Sequence, residues 1–268
     1  MTVFSPHDGT CANCENTISG LYCNQCGQKA NTQRLEIKTL FGGAFKAFME
    51  MDSTIFRTIK ELTRNPGRVA LNYIGGARVA YINPVKYCIT IFAVALAIMH
   101  LSGQIDQTVD KVTTANQEWQ EQSKALSGPA LEQAKARRKA TVEVYSEYLQ
   151  PMQLILIPIA AFFLRLLHYR KRRNYAEVTS FLCYVFGHTA LINIPILLGM
   201  ILLGLLSYFN LWVFSAVLLV VFGYGSKVFF KLSWPGFLIS LLLSTAIYFV
   251  LAGLMISGAA QLRMAGLI

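Results

Sequence analysis

The stretch Leu62–Tyr87, LTRNPGRVALNYIGGARVAYINPVKY, marks where this chain changes character. Before it lie four cysteines in metal-ligand spacing and a basic amphipathic region; after it nearly everything is apolar. Within it, Asn65-Pro66 has the form of a helix N-cap followed by a first helical position, where the N–H that proline lacks has no partner to lose. Gly75-Gly76 predicts the end of that short helix. Pro84 predicts a tight turn into the first long apolar segment. Tyr73, Tyr81 and Tyr87 suit the headgroup level of a bilayer, where a ring with one apolar and one polar end is at home. The stretch reads as a coupling element between a soluble module and a membrane bundle.

The composition agrees with that division. Of 268 residues, 54% are hydrophobic and 14% charged, and the mean hydropathy is +0.44. Soluble domains carry about 25% charged residues, so the deficit points to a membrane protein. The N-terminal MTVFSPHD has neither a basic n-region nor an apolar h-region, and no cleaved signal peptide is expected. Five apolar segments approach the ~20 residues that a crossing helix needs: 85–102, 151–169, 179–206, 209–231 and 236–259. The third is longer than an upright helix requires, which tilt or a kink at Pro195 would accommodate.

Orientation follows from basic residues in short loops. Ten lie between Lys29 and Lys86, against four acidic residues. Among them Arg64, Arg68, Arg78 and Lys86 stand next to the first span, and Arg170, Lys171, Arg172 and Arg173 stand between spans two and three. Lys227 and Lys231 lie between spans four and five. With five spans all three groups fall on one side. The chain is therefore expected in a bacterial inner membrane, multi-pass, with the N-terminus cytoplasmic and the C-terminus outside. The polar segment 103–149, broken at Ser127-Gly128-Pro129, is expected to form an extracytoplasmic helical hairpin.

Cys11-x2-Cys14 and Cys23-x2-Cys26 are two knuckles, each able to present two thiolates from one turn. Together they supply the four ligands of a closed tetrahedral zinc site, structural rather than catalytic because no position is left for water. In a reducing cytoplasm zinc is favoured over a pair of disulfides. Gly20 and Gly27 beside the second knuckle suit the positive φ angles of such turns.

The fold class is thus an α-helical integral membrane protein with about five transmembrane helices and a small N-terminal zinc ribbon. Residues 1–30 form the ribbon, 31–84 basic amphipathic interfacial helices, and 85–268 the transmembrane bundle. Phe- and Leu-rich faces recur at three- and four-residue spacing over 40–49 and 55–62, which predicts amphipathic helices attracted to anionic lipids. A nucleic-acid partner is disfavoured, because the basic residues are dispersed among large apolar ones. Ser240 with Ser244, and Gly253 with Ser257, are small-residue pairs suited to close helix packing, and a homo-oligomer is compatible with them.

Ionisable groups within a span are costly and default to function. His188, with Tyr184 and Asn193 near it, is the candidate intramembrane polar site. His100 and His168 sit near span ends, where they can reach water. Past Leu149 the acidic residue is Glu177 alone, which removes a carboxylate proton relay from consideration. No H-E-x-x-H, G-x-S-x-G or phosphate-loop pattern occurs, and an enzyme is not expected. The leading reading is a non-enzymatic adaptor, scaffold or sensor whose zinc module meets a protein partner. The alternative is a transporter or handler of a small or lipidic molecule on the polar face of span three.

Cys26-Gly-Gln28, then Thr58 to Arg68 with its Arg-Asn-Pro-Gly-Arg core, Tyr73-Ile-Gly-Gly, Arg78 and Tyr81-Ile-Asn-Pro84-Val-Lys-Tyr87 together resemble a bacterial family of unknown function. The resemblance covers about residues 11–100 and implies an N-terminal zinc ribbon followed by several transmembrane helices. It also implies a histidine near the position of His188 and an inner-membrane location, and it implies no activity.

Overall fold

A computed structural model of the chain describes residues 9–30, 34–40, 54–101, 128–203 and 211–265, and these are mostly helical. Of the predicted helix over 40–49 only Leu40 is among the described residues, helical and buried; the rest of it and the first arm of the 103–149 hairpin lie outside them.

Helix α1, Thr54–Arg64, buries Thr58 and Leu62 one turn apart and leaves Phe56, Arg57, Lys60 and Arg64 exposed. Helix α2, Pro66–Ile74, starts as its sequence predicts: Asn65 is extended, and its side chain accepts from the Arg68 amide at 2.9 Å. It ends at Gly75, and Gly76 then takes φ +113°. One face of α2 lies against the sixth helix with nothing between the backbones. A Cβ built on Gly67 would stand 2.3 Å from the Gly225 carbonyl oxygen, so glycine at 67 is a packing requirement.

Helix α3, Pro84–Leu101, is capped by Asn83, whose side chain accepts from the amides of Val85 and Lys86. Helix α4, Pro129–Leu167, is one uninterrupted run of 39 residues, so the second arm of the expected hairpin continues straight into the second apolar segment. A short 3-10 turn, Tyr169–Lys171, leads to helix α5, Tyr175–Leu202, which continues through Pro195. Helices α6, Leu211–Phe229, and α7, Trp234–Met264, follow among the described residues. Helix α5 is the hub: α1, α2, α3, α4 and α6 all pack on it, while α7 packs on α4 and, less closely, on α6. Aromatic stacking ties α5 to α6, with Phe181 and Phe229 centroids 4.5 Å apart.

Among the described residues two helices, α5 and α7, are long and apolar enough to cross a membrane. Apolar stretches in α3, α4 and α6 are shorter: Pro84–Ile98, Gln153–Leu167 and Val213–Phe229. The two long helices differ in surroundings. Most of α5 is enclosed by its neighbours, whereas α7 exposes Leu238, Ile239, Leu242, Val250 and Leu254. An apolar surface this continuous marks contact with lipid or with another chain. His168 does not reach water as expected. It is 8% exposed, stacks on Phe230 at 4.1 Å, donates from Nδ1 to the Leu164 carbonyl and accepts from the Ser240 hydroxyl.

Candidate metal centre and the junction behind it

The two knuckles fold alike. In the first, Cys11 N–H donates to the Asn16 carbonyl, Glu15 N–H to the Cys11 carbonyl, and Ile18 N–H to the Gly9 carbonyl. In the second, Cys23, Gly27 and Ala30 donate to Gln28, Cys23 and Leu21 in the same pattern. An isolated antiparallel bridge closes each, Thr10 with Thr17 and Tyr22 with Lys29. The turn needs a left-handed residue after its second cysteine. Gly27 supplies it at φ +71°, and Glu15 is driven into it at φ +63°. Gly20 is not among the positive-φ residues, so the sequence expectation holds for Gly27 only.

This folding brings Cys11, Cys14, Cys23 and Cys26 together, all four sulfurs within 4.8 Å of one another. Cys11 and Cys26 Sγ are 3.5 Å apart, Cys14 and Cys23 Sγ 3.6 Å. Tetrahedral thiolates around an ion at ~2.3 Å would stand about 3.8 Å apart, so the donors fit a single metal ion. Left to themselves, four thiols this close cannot all ionise. Burial opposes the Cys26 thiolate, but the Gln28 amide, the Asn13 side chain and neighbouring thiols outweigh it and draw Cys26 down to about 6. At Cys14 the Asn16 amide favours the thiolate, but desolvation and the other sulfurs prevail and drive it up to about 12. A cation at the centre would remove that competition.

The residue that joins this centre to the rest is Gln28, only 3% exposed. Its Oε1 accepts from the amides of Arg78 and Val79 at 3.2 and 3.1 Å, in the loop between α2 and α3. From that loop a polar network runs to α5. Ile82 is held by both of its backbone groups: its amide donates to Thr58 Oγ1 at 3.1 Å, and its carbonyl accepts from Tyr184 at 2.6 Å. Tyr81 donates to Glu61, and Asn72 donates to the Tyr81 oxygen. Burial raises Glu61, but the hydrogen bonds from Tyr81 and Arg57, with the charges of Arg57 and Arg64, outweigh it and hold the carboxyl below its ordinary value. Tyr81 is raised in turn, by burial and by Glu61. Burial pushes Tyr73 up to about 12, so its ring stays neutral.

His188 closes the network. It is 1% exposed, with Nδ1 3.1 Å from the Tyr87 hydroxyl and Nε2 3.2 Å from Thr63 Oγ1. Thr63 has a single hydroxyl hydrogen and donates it to the Ile59 carbonyl. Donor and acceptor roles at the ring follow its tautomer, and the one with the proton on Nε2 satisfies both contacts, with Nε2 donating to Thr63 and Nδ1 accepting from Tyr87. Both ring nitrogens are engaged.

The predicted site residues divide accordingly. Tyr184 and His188 come together, but Asn193 does not join them: five residues on, it points about 140° away around the helix and donates to the Thr189 carbonyl. The three tyrosines assigned to the headgroup level are buried (Tyr73 5%, Tyr81 4%, Tyr87 0%) and bonded to Asn83, Glu61 and His188. Of the basic residues, Arg64, Arg68, Arg170, Lys171 and Arg172 are exposed. Lys86 is 6% exposed and Arg78 half-buried, so neither presents an open cationic face. Burial lowers Arg173, which lies 5.1 Å over the Phe229 ring and 3.9 Å from Glu177. Arg34 was not singled out from sequence, yet it pairs with the buried Glu177 at 2.8 Å and donates to the Arg172 carbonyl. Asn174 and Glu177 cap each other's amides at the start of α5, the reciprocal pattern of a capping box. In the sequence this clamp shows as the Asn174-x-x-Glu177 capping pattern and the isolation of Glu177 in an acid-free region, and neither points to Arg34.

The described residues are thus mostly helical, with two helices of membrane-crossing length among them and an N-terminal four-cysteine cluster able to hold a metal ion. Residues 52–96 match a family described as "Protein of unknown function (DUF3667)". That match spans α1, α2, the Gln28-binding loop and most of α3. No curated protein and no solved structure matches the chain.

Proposed function

We propose that this is a multi-pass protein of the bacterial inner membrane, with five spans and a cytoplasmic N-terminus, whose zinc-stabilised head acts as a non-enzymatic adaptor or sensor. The observation that carries the reading is the continuous path from Gln28 through the Arg78–Ile82 backbone to Tyr184 and His188. Four thiolates in a closed set suit structural zinc, whose binding supplies the folding energy that so short a module lacks. Gln28 is two residues beyond the last ligand, so gain or loss of the metal bears directly on the acceptor that holds the loop. A module that folds on metal and is bonded to the bundle through the buried Gln28 side chain is suited to report its state, or a partner's presence, to the helices.

The membrane part of the proposal rests on the exposed apolar face of α7 and on the distribution of basic residues. Helix α5, 28 residues and so about 42 Å long, exceeds the ~30 Å hydrocarbon thickness; the surplus falls at the end wrapped by α1 and α2. Exposed Arg64, Arg68, Arg170, Lys171 and Arg172 would there meet anionic headgroups. A handler of small or lipidic molecules at Tyr184, His188 and Asn193 is less well supported, because both His188 nitrogens are occupied and Asn193 faces elsewhere.

Affinity purification from native membranes, wild type against Cys23→Ser, tests the reading. A protein partner recovered with wild type and lost with the variant is the expected result. Function abolished by His188→Ala but indifferent to Cys11→Ser would overturn it.

A further inference from the structure

Four helices, α4, α5, α6 and α7, enclose a cleft lined by Leu164, Leu182, Phe186, Leu218, Phe222 and Tyr248. Its walls are apolar, with one polar atom that stands out. Ser215 is 5% exposed, lines the cleft, and its hydroxyl has no hydrogen-bond partner. Among the other buried oxygens in that condition, Asn13 Oδ1 and Thr54 Oγ1 lie elsewhere, but Gln153 Oε1, Thr189 Oγ1 and Asn193 Oδ1 belong to α4 and α5, on residues 5%, 0% and 5% exposed.

Helical geometry puts these three on the helix faces that line the cleft, beyond the lining itself. At about 100° per residue, Thr189 and Asn193 fall within roughly 60° of Leu182 and Phe186, the residues by which α5 lines the cleft. Gln153 falls within roughly 40° of Ala160 and Leu164, the lining residues of α4. They also share a level. Helices α4 and α5 are antiparallel across a short turn; Gln153 lies fourteen residues before Leu167, and Thr189 fourteen after Tyr175. Phe229 stacks on Phe181, and α6 runs back from there, which brings Ser215 level with Asn193 and Pro195. Pro195 cannot donate to the Leu191 carbonyl, which leaves one more acceptor at this height.

A buried polar group without a partner is costly, and Ser215 on the cleft wall, with Gln153, Thr189 and Asn193 on the same helix faces just past the lining, calls for a ligand whose polar end reaches that level. We propose that the cleft is a binding site for an uncharged amphiphile from the bilayer, a lipid alcohol in chemical class. Its apolar body would lie among Leu164, Phe186, Phe222 and Tyr248. Its hydroxyl would donate to the amide oxygen of Gln153 or Asn193 and accept from Thr189 or Ser215. A cation is the poorer match, because past Leu149 these helices carry one carboxylate, Glu177, and it is neutralised by Arg34. The site is separate from the metal centre and does not depend on the function proposed for it.

The test uses the full chain in phosphatidylcholine nanodiscs, with a diazirine-bearing hexadecanol and, as control, its methyl ether. The alcohol is expected to cross-link to peptides of α4 and α5 around 153–164 and 182–193, competed by unlabelled hexadecanol, with the ether at background. Thr189→Val and Ser215→Ala, which keep side-chain volume nearly constant and so preserve folding, should each weaken cross-linking roughly fivefold, the worth of one hydrogen bond. Equal labelling by alcohol and ether would overturn the proposal, since the cleft would then accept any chain. Unchanged labelling in both variants would overturn it too, assigning the four oxygens to ordered water alone. Cys23→Ser should label as wild type does, which keeps this result distinct from failure of the adaptor reading.

Discussion

Gly67 shows how narrow the tolerances are. Its missing Cβ is what lets α2 lie directly on the Gly225 backbone, and Gly225 in turn admits Phe181 and Pro66 at 3.0 and 3.1 Å of its own Cβ position. A backbone carbonyl cannot swing aside as a side-chain tip can. Gly67→Ala is therefore expected to cost about 3 kcal/mol, at the upper end of overpacking, seen as a lower melting temperature in detergent or as failure to accumulate. The neighbouring Arg68→Ala, at an exposed position, should change little. Glu61 permits a pH test. Its carboxyl is held below the ordinary value in the folded chain, so its contribution is present above the unfolded pKa of about 4.3 and is lost as pH falls through the folded one. The difference in melting temperature between wild type and Glu61→Gln should be constant near neutrality and narrow below about pH 4.5. A difference that widens on acidification would contradict this assignment.

The loop between α2 and α3 is where elements are joined, and it was only partly legible beforehand. Asn65-Pro66 and Gly75-Gly76 announced the ends of α2 because capping is chemistry between near neighbours. Nothing local announced that Gln28 would hold Arg78 and Val79, fifty residues away. Gln28→Ala should leave the cysteine cluster and its metal content intact, because the side chain binds no sulfur. It should loosen the loop, so that limited proteolysis of the full chain cuts faster at Arg78 while metal stoichiometry stays unchanged. Faster cutting together with lost metal would mean that the knuckle and the loop fold as one unit. The tyrosines show the same limit. An amphipathic ring satisfies a headgroup layer and a buried hydrogen-bond network equally well on paper. Tyr87 chose the network because His188, on another helix, offers Nδ1.

Taken together, the helices place a head able to hold a metal ion near the end of α5 where the basic residues gather, with the apolar face of α7 turned outward. If the five-span topology is right, an alkaline phosphatase fusion after Ile268 is active and one at Ala30 is silent, with green fluorescent protein fusions giving the reverse. Chelation of the metal should release the head without unfolding the bundle, because α5 is packed by five other helices and needs no metal contact. The expected readout is faster amide exchange at 9–30 and at the 75–83 loop, with exchange in 176–190 unchanged.

Helical character, the capped ends of α2, the four-cysteine set and the apolar excess could all be read from spacing and composition, because each is a pattern between residues a few positions apart. The burial of the tyrosines and Lys86, the engagement of both His188 ring nitrogens and the Arg34–Glu177 clamp required the packed chain, whereas the separation of Asn193 from His188 was already implicit in their five-residue spacing on one helix. Each of the former depends on partners brought together over long stretches, such as Tyr87 and His188, 101 residues apart. Local propensity says where a helix starts and stops, but only contact between helices settles whether a polar group on it meets lipid, water or another side chain.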